Sequence, residues 1–306
     1  MGRFIAKRFI SMLVTLLFVV TITFFLMHAA PGGPFSREKA LPAPILKVIE
    51  ERFNLDKPVY QQYLIYLKDV AKGDLGPSFQ RVGWTVNEII EKTFPVSAKV
   101  GGVSVLLVLI LGIPIGIVSA LKQNKWQDQL AMFFATLGVT IPSFVIGTLI
   151  VHIFSTNLRI LPSNGLSTWK HYIGPVIALA GFSLSFVARL TRSSMLEVMQ
   201  QDYIRTARAK GLSEFTVLTK HALKNALIPV ISYVGPLVAA ILTGSFVVER
   251  IFAISGMGKY FVESVGNRDY TVIMGVTVFY AIFLVVMVFV VDILYGLIDP
   301  RIKLDR

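Results

Sequence analysis

Six long apolar runs constrain the fold of this 306-residue sequence more than any other feature. The runs are residues 9–30, 100–121, 129–156, 172–188, 226–248 and 271–291. A helix needs about 20 apolar residues to cross roughly 30 Å of hydrocarbon, and five of the six runs reach that length. With 54% of its residues apolar and 16% charged, the chain lacks the polar surface of a soluble protein. The sequence therefore predicts an all-α membrane protein with six transmembrane helices.

The basic residues are distributed unevenly between the segments that join these runs. Fifteen lie before the first run, at 122–125, at 189–224 and after the last run, whereas the loops 157–171 and 249–270 hold five. Cytoplasmic loops of membrane proteins carry the excess of Lys and Arg, so both termini are predicted to face the cytoplasm. The net charge of +12 is thus explained by orientation in the membrane and argues against nucleic-acid binding.

Residues 31–96, between the first two runs, are too many for a simple connection. We therefore divide the chain into an N-terminal transmembrane helix (1–30), an extracytoplasmic loop domain (31–96) and a five-helix core (97–306). Shared helical faces predict two helices in the loop domain, one with Leu46, Ile49 and Phe53 and one with Tyr60, Tyr63, Leu64 and Leu67. The domain is either a cap on the membrane surface or a contact surface for a molecule delivered from outside.

Several residues within the runs permit bends and close helix contacts. Gly112 and Gly116 form a pair of small residues four positions apart, which allows two helices to approach closely. Prolines interrupt backbone hydrogen bonding at positions 114, 142, 175, 229 and 236. These features suit either a bundle with a polar path or ordinary membrane packing.

Ionisable side chains are rare in the runs. His28 and His152 lie near run ends, and Asp292 follows the last run. Proton-coupled pumps usually bury several carboxylate or basic groups near the membrane midplane. We infer that the driving energy comes from another protein, and the rival interpretation is a self-sufficient secondary transporter or channel.

The sequence offers no complete catalytic motif. Residues 256–260 (GMGKY) resemble the end of a phosphate-binding loop, but Tyr260 replaces the hydroxyl ligand and Ala253 replaces the first glycine. The zinc-protease motif His-Glu-x-x-His is absent, and the chain has no cysteine. We therefore expect a protein that is not an enzyme and holds no cofactor of its own.

The most informative segment is 189–225, which the charge distribution places in the cytoplasm. Leu196, Met199, Tyr203 and Ala207 recur at helical spacing, and Arg192, Arg205, Arg208 and Lys210 lie alongside them. Gly211 is predicted to end this amphipathic helix. Ser213 is predicted to cap a second helix whose apolar face comprises Phe215, Leu218 and Ala222. The pair either lies on anionic lipid or docks a soluble partner.

Residues 202–213 (DYIRTARAKGLS) and 221–229 (HALKNALIP) resemble the coupling motif of ABC importer permeases. The family pattern is Glu-Ala-Ala, three residues, Gly, nine residues, then Ile-x-Leu-Pro. Ala207, Gly211 and Leu223 match the pattern, whereas Arg205, Thr206, His221 and Lys224 depart from it. These departures, with residues 244–249 (GSFVVE) and 256–258 (GMG), are similar to the oligopeptide/dipeptide (Opp/Dpp) branch and its B subunit.

The resemblance implies a type I ABC importer permease in a bacterial plasma membrane that imports short peptides by alternating access. It implies four kinds of partner: a second permease subunit, two cytoplasmic ATPases that bind ATP and Mg, an external peptide-binding protein and the peptide. Other cargoes of the same branch are chelated nickel, glutathione or an oligosaccharide. The ATPase-docking residues implied are Tyr203, Arg205, Thr206, Ala207, Lys210, Gly211, Leu212 and Leu223. No residues of the substrate path are assigned.

Overall fold

A computed structural model describes the backbone of residues 2–30, 47, 50–51 and 53–298, with side chains from residue 6 to residue 293 in these ranges. Apart from one isolated bridge between Pro77 and Thr85, regular structure in this part of the chain is helical. In chain order the α-helices are α1 (Gly2–Ala29), α2 (Val59–Ala71), α3 (Val86–Leu121), α4 (Trp126–Thr140), α5 (Ser143–Ile150), α6 (Lys170–Met199), α7 (Asp202–Ala209), α8 (Glu214–Thr216), α9 (Leu223–Ala226), α10 (Ile228–Leu242), α11 (Phe246–Ile251), α12 (Met257–Asn267) and α13 (Tyr270–Ile298). Two π-helical turns, Val151–Asn157 and Val217–Ala222, follow α5 and α8.

Five helical segments are long and apolar enough to cross a membrane. They are α1, α3, α6, the pair α10–α11 and α13. The short run at 172–188 is the middle of the 30-residue helix α6, and this helix is long enough to cross a membrane. Likewise, the run at 100–121 is the second part of α3, which starts at a capping box formed by Thr85 and Glu88.

The span predicted at 129–156 is bent rather than continuous. Helices α4 and α5, the latter with its π-helical extension to Asn157, meet at 99° across Ile141 and Pro142. A residue before proline is driven from the helical region towards extended backbone, and Ile141 has φ −84° and ψ 119°. The described residues thus contain five spans, or six when the bent pair is counted as one.

The bundle has two chemically different ends. Near one end, Arg8 of α1 lies 3.2 Å from Asp292 of α13, and helices α3 and α6 finish there. We call this the basic end, because the segment 189–225, which is rich in Lys and Arg, extends from it. The opposite end, which we call the loop end, carries α2, α12 and the connections between them and the spans.

At the loop end, α2 packs against α1 through a polar and aromatic contact. The hydroxyls of Tyr63 and Thr21 are 2.7 Å apart, and His28 Nε2 lies 3.0 Å from Gln62 Oε1. The predicted apolar face of α2 was wrong in part, because Tyr60 and Leu64 are exposed. Tyr63 and Leu67 pack as predicted, and Tyr66 and Val70 pack with them. Leu46 and Ile49 lie outside the described residues.

The loop end is fastened by Asp269, which precedes α13. Its carboxylate accepts hydrogen bonds from the Ser78 hydroxyl and from the backbone N–H groups of Phe79 and Gln80. Asp269 is buried. The connection between α2 and α3 is therefore held against the start of the last span.

Helices α3 and α6 are in close contact in the core. A Cβ placed on Gly116 would lie 2.6 Å from the carbonyl oxygen of Ala188 and 2.5 Å from Cβ of Thr191. A Cβ on Gly112 would lie 3.0 Å from Cγ1 of Val187. The prediction that this pair of glycines permits close approach is confirmed, since any larger residue would push the helices apart.

Gly116→Ala is therefore expected to destabilise the protein by about 1–3 kcal/mol through overpacking. Gly102→Ala on the same helix is the matched control, because a Cβ there meets no heavy atom within 4 Å. The thermal unfolding midpoint in detergent should fall for Gly116→Ala but not for Gly102→Ala, where alanine favours the helix and can raise the midpoint slightly. A midpoint for Gly116→Ala that is no lower than that of Gly102→Ala would show that the two helices are not in tight contact.

Candidate functional site

Segment 189–225 begins inside a membrane span and contains a break that the sequence pattern did not reveal. Helix α6 continues to Met199, and α7 starts at Asp202 after Gln201, whose backbone is extended. Leu196 and Met199 belong to α6, whereas Tyr203 and Ala207 belong to α7. The prediction of one amphipathic helix through these four residues was therefore wrong. The sequence pattern hid the break, because a two-residue turn at Gln200 and Gln201 leaves the spacing of apolar residues nearly unchanged.

Gly211 ends α7 as predicted. Its φ is +78°, and its N–H donates to the carbonyl oxygen of Arg208 at 2.9 Å. The N–H of Leu212 donates to the carbonyl oxygen of Ala207 at 3.4 Å, which completes a Schellman motif. Glycine adopts this left-handed conformation without steric cost, so the bend depends on Gly211.

The bend is stabilised on both sides of Gly211. Ser213 caps α8, since its hydroxyl accepts a hydrogen bond from the N–H of Thr216 at 3.3 Å. This confirms the predicted cap. Arg208 Nε lies 2.8 Å from Glu214 Oε1, so an ion pair joins the end of α7 to the start of α8. Both side chains are well exposed, and such pairs contribute little stability.

One side of this helix pair is packed against the basic end of the bundle. Its buried residues form a single cluster with Ala120 of α3 and Met195 of α6. They are Ile204, Ala207, Val217, Ala222 and Ala226. Leu223 packs against the same cluster. Ala207 and Leu223, which the resemblance implied as docking residues, therefore face the chain's own bundle and hold the segment in place.

The other side of the pair is exposed. Of the implied docking residues, Tyr203, Arg205, Thr206, Lys210, Gly211 and Leu212 lie on it. Phe215 is 76% exposed and lies beside them in the chain, whereas Ala222 is fully buried, so the prediction that both belong to one apolar face was wrong. The physical reason is the π-helical turn Val217–Ala222, in which residues five apart share a face, so that Val217 and Ala222 are buried instead. We call Tyr203, Arg205, Lys210, Leu212 and Phe215 the exposed patch.

A second contact, at the basic end, joins the helices α6 and α4. Arg192 of α6 donates two hydrogen bonds of 2.7 Å to the buried carboxylate of Asp128 on α4. The same carboxylate accepts from the Ser119 hydroxyl and the Asn124 N–H. Arg192 was expected to lie alongside the amphipathic helix, but it joins α6 to α4. Asp128 was missed, because its partner is 64 residues away.

A phosphate-binding loop needs backbone N–H groups that are free to bind phosphate. In residues 256–260, two of these groups are already used within the protein. The N–H of Met257 donates to the Ser97 hydroxyl at 2.8 Å, and that of Lys259 to the Glu249 carboxylate at 3.0 Å. Ser97 in turn donates to Glu249 at 2.6 Å. These groups tie α11 and α12 to α3 at the loop end. Within the described residues, no group of three or more His, Asp or Glu side chains could hold a metal ion.

The fold and this site define a multi-pass membrane component with a two-helix surface at one end. The chain belongs to the family described as the binding-protein-dependent transport system inner membrane component, whose model matches residues 112–304. A model for the N-terminal part of the same kind of membrane component matches residues 1–101. The resemblance drawn from residues 202–213 and 221–229 is confirmed.

Curated relatives are similar over the full chain. The dipeptide transport system permease protein DppB of Bacillus subtilis (strain 168) is 49% identical, covering 100% of this chain and 99% of its own. The oligopeptide transport system permease protein OppB of Salmonella typhimurium (strain LT2) is 44% identical, covering 99% of this chain and 100% of its own. OppB of Escherichia coli (strain K12) is 43% identical with the same coverage.

A solved structure shares the fold. A chain of the MetNI methionine ABC transporter, in an inward-facing conformation from its CY5 native crystal form, aligns with a TM-score of 0.56. The two chains are 16% identical, and the match covers 69% of this chain and 96% of the other. The expected type I ABC importer permease fold is thus confirmed.

Proposed function

We propose that this protein is the permease subunit of an ATP-driven importer of dipeptides or oligopeptides. The observation that carries the proposal is a short helix pair that is packed on one side against α3 and α6 and exposes aromatic, aliphatic and basic side chains on the other. An exposed patch of this kind marks an interaction site. The full-length similarity to dipeptide and oligopeptide permeases favours peptide cargo over chelated nickel, glutathione or an oligosaccharide.

The exposed patch is proposed to dock one of two cytoplasmic ATPase subunits, which bind ATP and Mg. The proposed contact residues are the exposed residues that the resemblance implied, together with Phe215. They are Tyr203, Arg205, Thr206, Lys210, Gly211, Leu212 and Phe215. Ala207 and Leu223 support the contact from behind, because they pack in the cluster beneath it. The remaining partners are a second permease subunit and an external peptide-binding protein.

The basic end is proposed to face the cytoplasm, with both termini on that side. The excess of Lys and Arg at 205–224, beyond the end of α6, and in the other segments assigned to this side supports the orientation. Residues 31–96 then form a separate domain outside the membrane, where they meet the binding protein together with the connection 249–270. The hydrogen bonds from residues 78–80 to Asp269 support a fixed position for this surface relative to α13.

The helix pair that carries the exposed patch is joined to a span at each of its ends. Helix α7 follows α6 after two residues, and α9 is separated from α10 by Leu227 alone. The patch therefore lies on the connection between α6 and α10, and a partner bound to the patch can move both spans together. Pro236 inside α10 weakens that helix at one point, which favours bending there when the segment is displaced.

Reconstitution tests the proposed function. Liposomes containing this chain, the second permease, both ATPases and the binding protein should take up a labelled dipeptide or tripeptide when ATP is present. Liposomes with this chain alone should neither hydrolyse ATP nor accumulate peptide under a proton or sodium gradient. Gradient-driven uptake by this chain alone would support the secondary transporter instead.

The role of Gly211 gives a sharper test of the docking site. A Cβ at this position meets no atom within 4 Å, so only the positive φ restricts substitution within the chain. Asn tolerates that conformation, whereas a β-branched residue is a genuine outlier there. Gly211→Val should reduce ATP-driven uptake by more than tenfold with normal membrane abundance, and Gly211→Asn should keep most of it.

The two variants separate backbone strain from lost space at the surface. If both lose uptake and ATPase co-purification equally, a partner surface lies directly against position 211. If Gly211→Val transports at the wild-type rate with its ATPases attached, residues 202–226 are a helix pair on the membrane surface and the docking assignment is wrong.

A further inference from the structure

Arg189 places a positive charge inside the membrane-spanning part of α6. Its Nη2 atom donates to the hydroxyl of Thr136 on α4 at 2.6 Å. Thr136 lies eight residues beyond Asp128 on α4, which corresponds to about 12 Å along the helix. Arg189 itself precedes Arg192 by only three residues, or roughly 4.5 Å. The side chain therefore reaches away from the basic end and deeper into the bundle.

This guanidinium group has no anionic partner in the described part of the chain. Asp128 is already bound to Arg192, and Glu197 lies eight residues further towards the basic end of α6, about 12 Å away. Arginine carries five N–H donors, and Thr136 accepts one of them while donating its own proton to Met132. An ionisable side chain on a spanning helix is a candidate functional site, so this guanidinium group is a candidate site for an anion from outside the chain.

Aromatic side chains extend from Arg189 along the same face of α6. Phe186 and Phe182 precede it by three and seven residues, and they are 37% and 48% exposed. Their rings are stacked with centroids 6.4 Å apart. The ring of Phe186 also lies 4.4 Å from that of Tyr233 on α10. The result is an aromatic stripe, bordered by α4 and α10, that ends at a cation.

We propose that Arg189 binds the C-terminal carboxylate of the transported peptide and that Phe182 and Phe186 contact its apolar side chains. The inference rests on the proposed function. Every linear peptide with a free C-terminus carries that carboxylate, whatever its sequence, and arginine binds carboxylates through charge-assisted hydrogen bonds. Ring faces accept many side-chain shapes. A cation beside an aromatic stripe thus suits a transporter that handles peptides of varied sequence.

The direction of the side chain argues against a lipid headgroup as the anion. Long basic side chains that serve lipid headgroups extend towards the nearer interface. Arg189 instead reaches towards Thr136, further from the basic end than its own backbone. A carboxylate on the second permease subunit is the other protein-based source, and the experiment below separates it from the peptide.

The test compares a tripeptide with its C-terminal amide in the complete transporter in liposomes. Both peptides are supplied at concentrations that saturate the binding protein, so that receptor selectivity does not limit uptake. The variants are Arg189→Gln, Arg189→Lys and the control Lys122→Gln, which removes an exposed cation outside the site. A lost charge-assisted hydrogen bond of roughly 1.5–3 kcal/mol corresponds to a tenfold to hundredfold effect.

Arg189→Gln should lower the acid-to-amide ratio of uptake rates at least tenfold relative to wild type, mainly by slowing uptake of the free acid. Arg189→Lys should recover part of the ratio, and Lys122→Gln should leave it unchanged. An unchanged ratio in Arg189→Gln would overturn the inference. Equal loss of both substrates with less second permease co-purified would also overturn it, in favour of a subunit contact.

Wild-type liposomes separate the two proposals. If the wild-type transporter imports neither form of the peptide, the proposed function fails and this inference fails with it. If the wild type imports peptide and Arg189→Gln keeps the wild-type acid-to-amide ratio, only the assignment of Arg189 fails.

Discussion

The close approach of α3 and α6 at Gly112 and Gly116 is the contact on which the remaining structure depends. The absence of side chains at these two positions brings the backbones together, and carbonyl oxygens of α6 line the space that a Cβ would fill. Ala120 and Met195, at the basic ends of the same two helices, form the base on which segment 202–226 packs. Asp128 and Arg192 add α4 to this unit through two hydrogen bonds of 2.7 Å. The segment is thus packed on helices that are already in contact with one another.

The segment itself has two sides with different roles. Small residues such as Ala207 and Ala222 allow it to lie close to the bundle, while Phe215 and Leu212 remain exposed. Gly211 connects the two helices through a left-handed bend that closes with the hydrogen bonds of a Schellman motif. In the proposed function this arrangement is a coupling device: the buried side joins it to α3 and α6, and the exposed side meets a partner that supplies energy.

Much of this organisation could be predicted from the sequence, because it depends on local patterns. The apolar runs, the tight pair Gly112–Gly116, the bend at Gly211 and the cap at Ser213 each follow from a few neighbouring residues. Features that depend on register or distance could not be predicted. A π-helical turn rotates Phe215 outwards, and helical spacing alone assumes that such a turn is absent. Pro142 indicates an interruption but not a 99° bend. The partners of Arg189 and Arg192 are 53 and 64 residues away.

Site-specific cross-linking from Phe215 tests whether the exposed patch contacts an ATPase subunit. The chain contains no cysteine, so Phe215→Cys can carry a photoactivatable cross-linker without background labelling, and Gln123→Cys, exposed in the connection between α3 and α4, serves as the control. In membranes that contain the complete transporter, we expect a covalent product of Phe215→Cys with an ATPase subunit and little product from Gln123→Cys. A product with the ATPase from Gln123→Cys alone, or only lipid adducts from Phe215→Cys, would show that the exposed patch does not dock the ATPase.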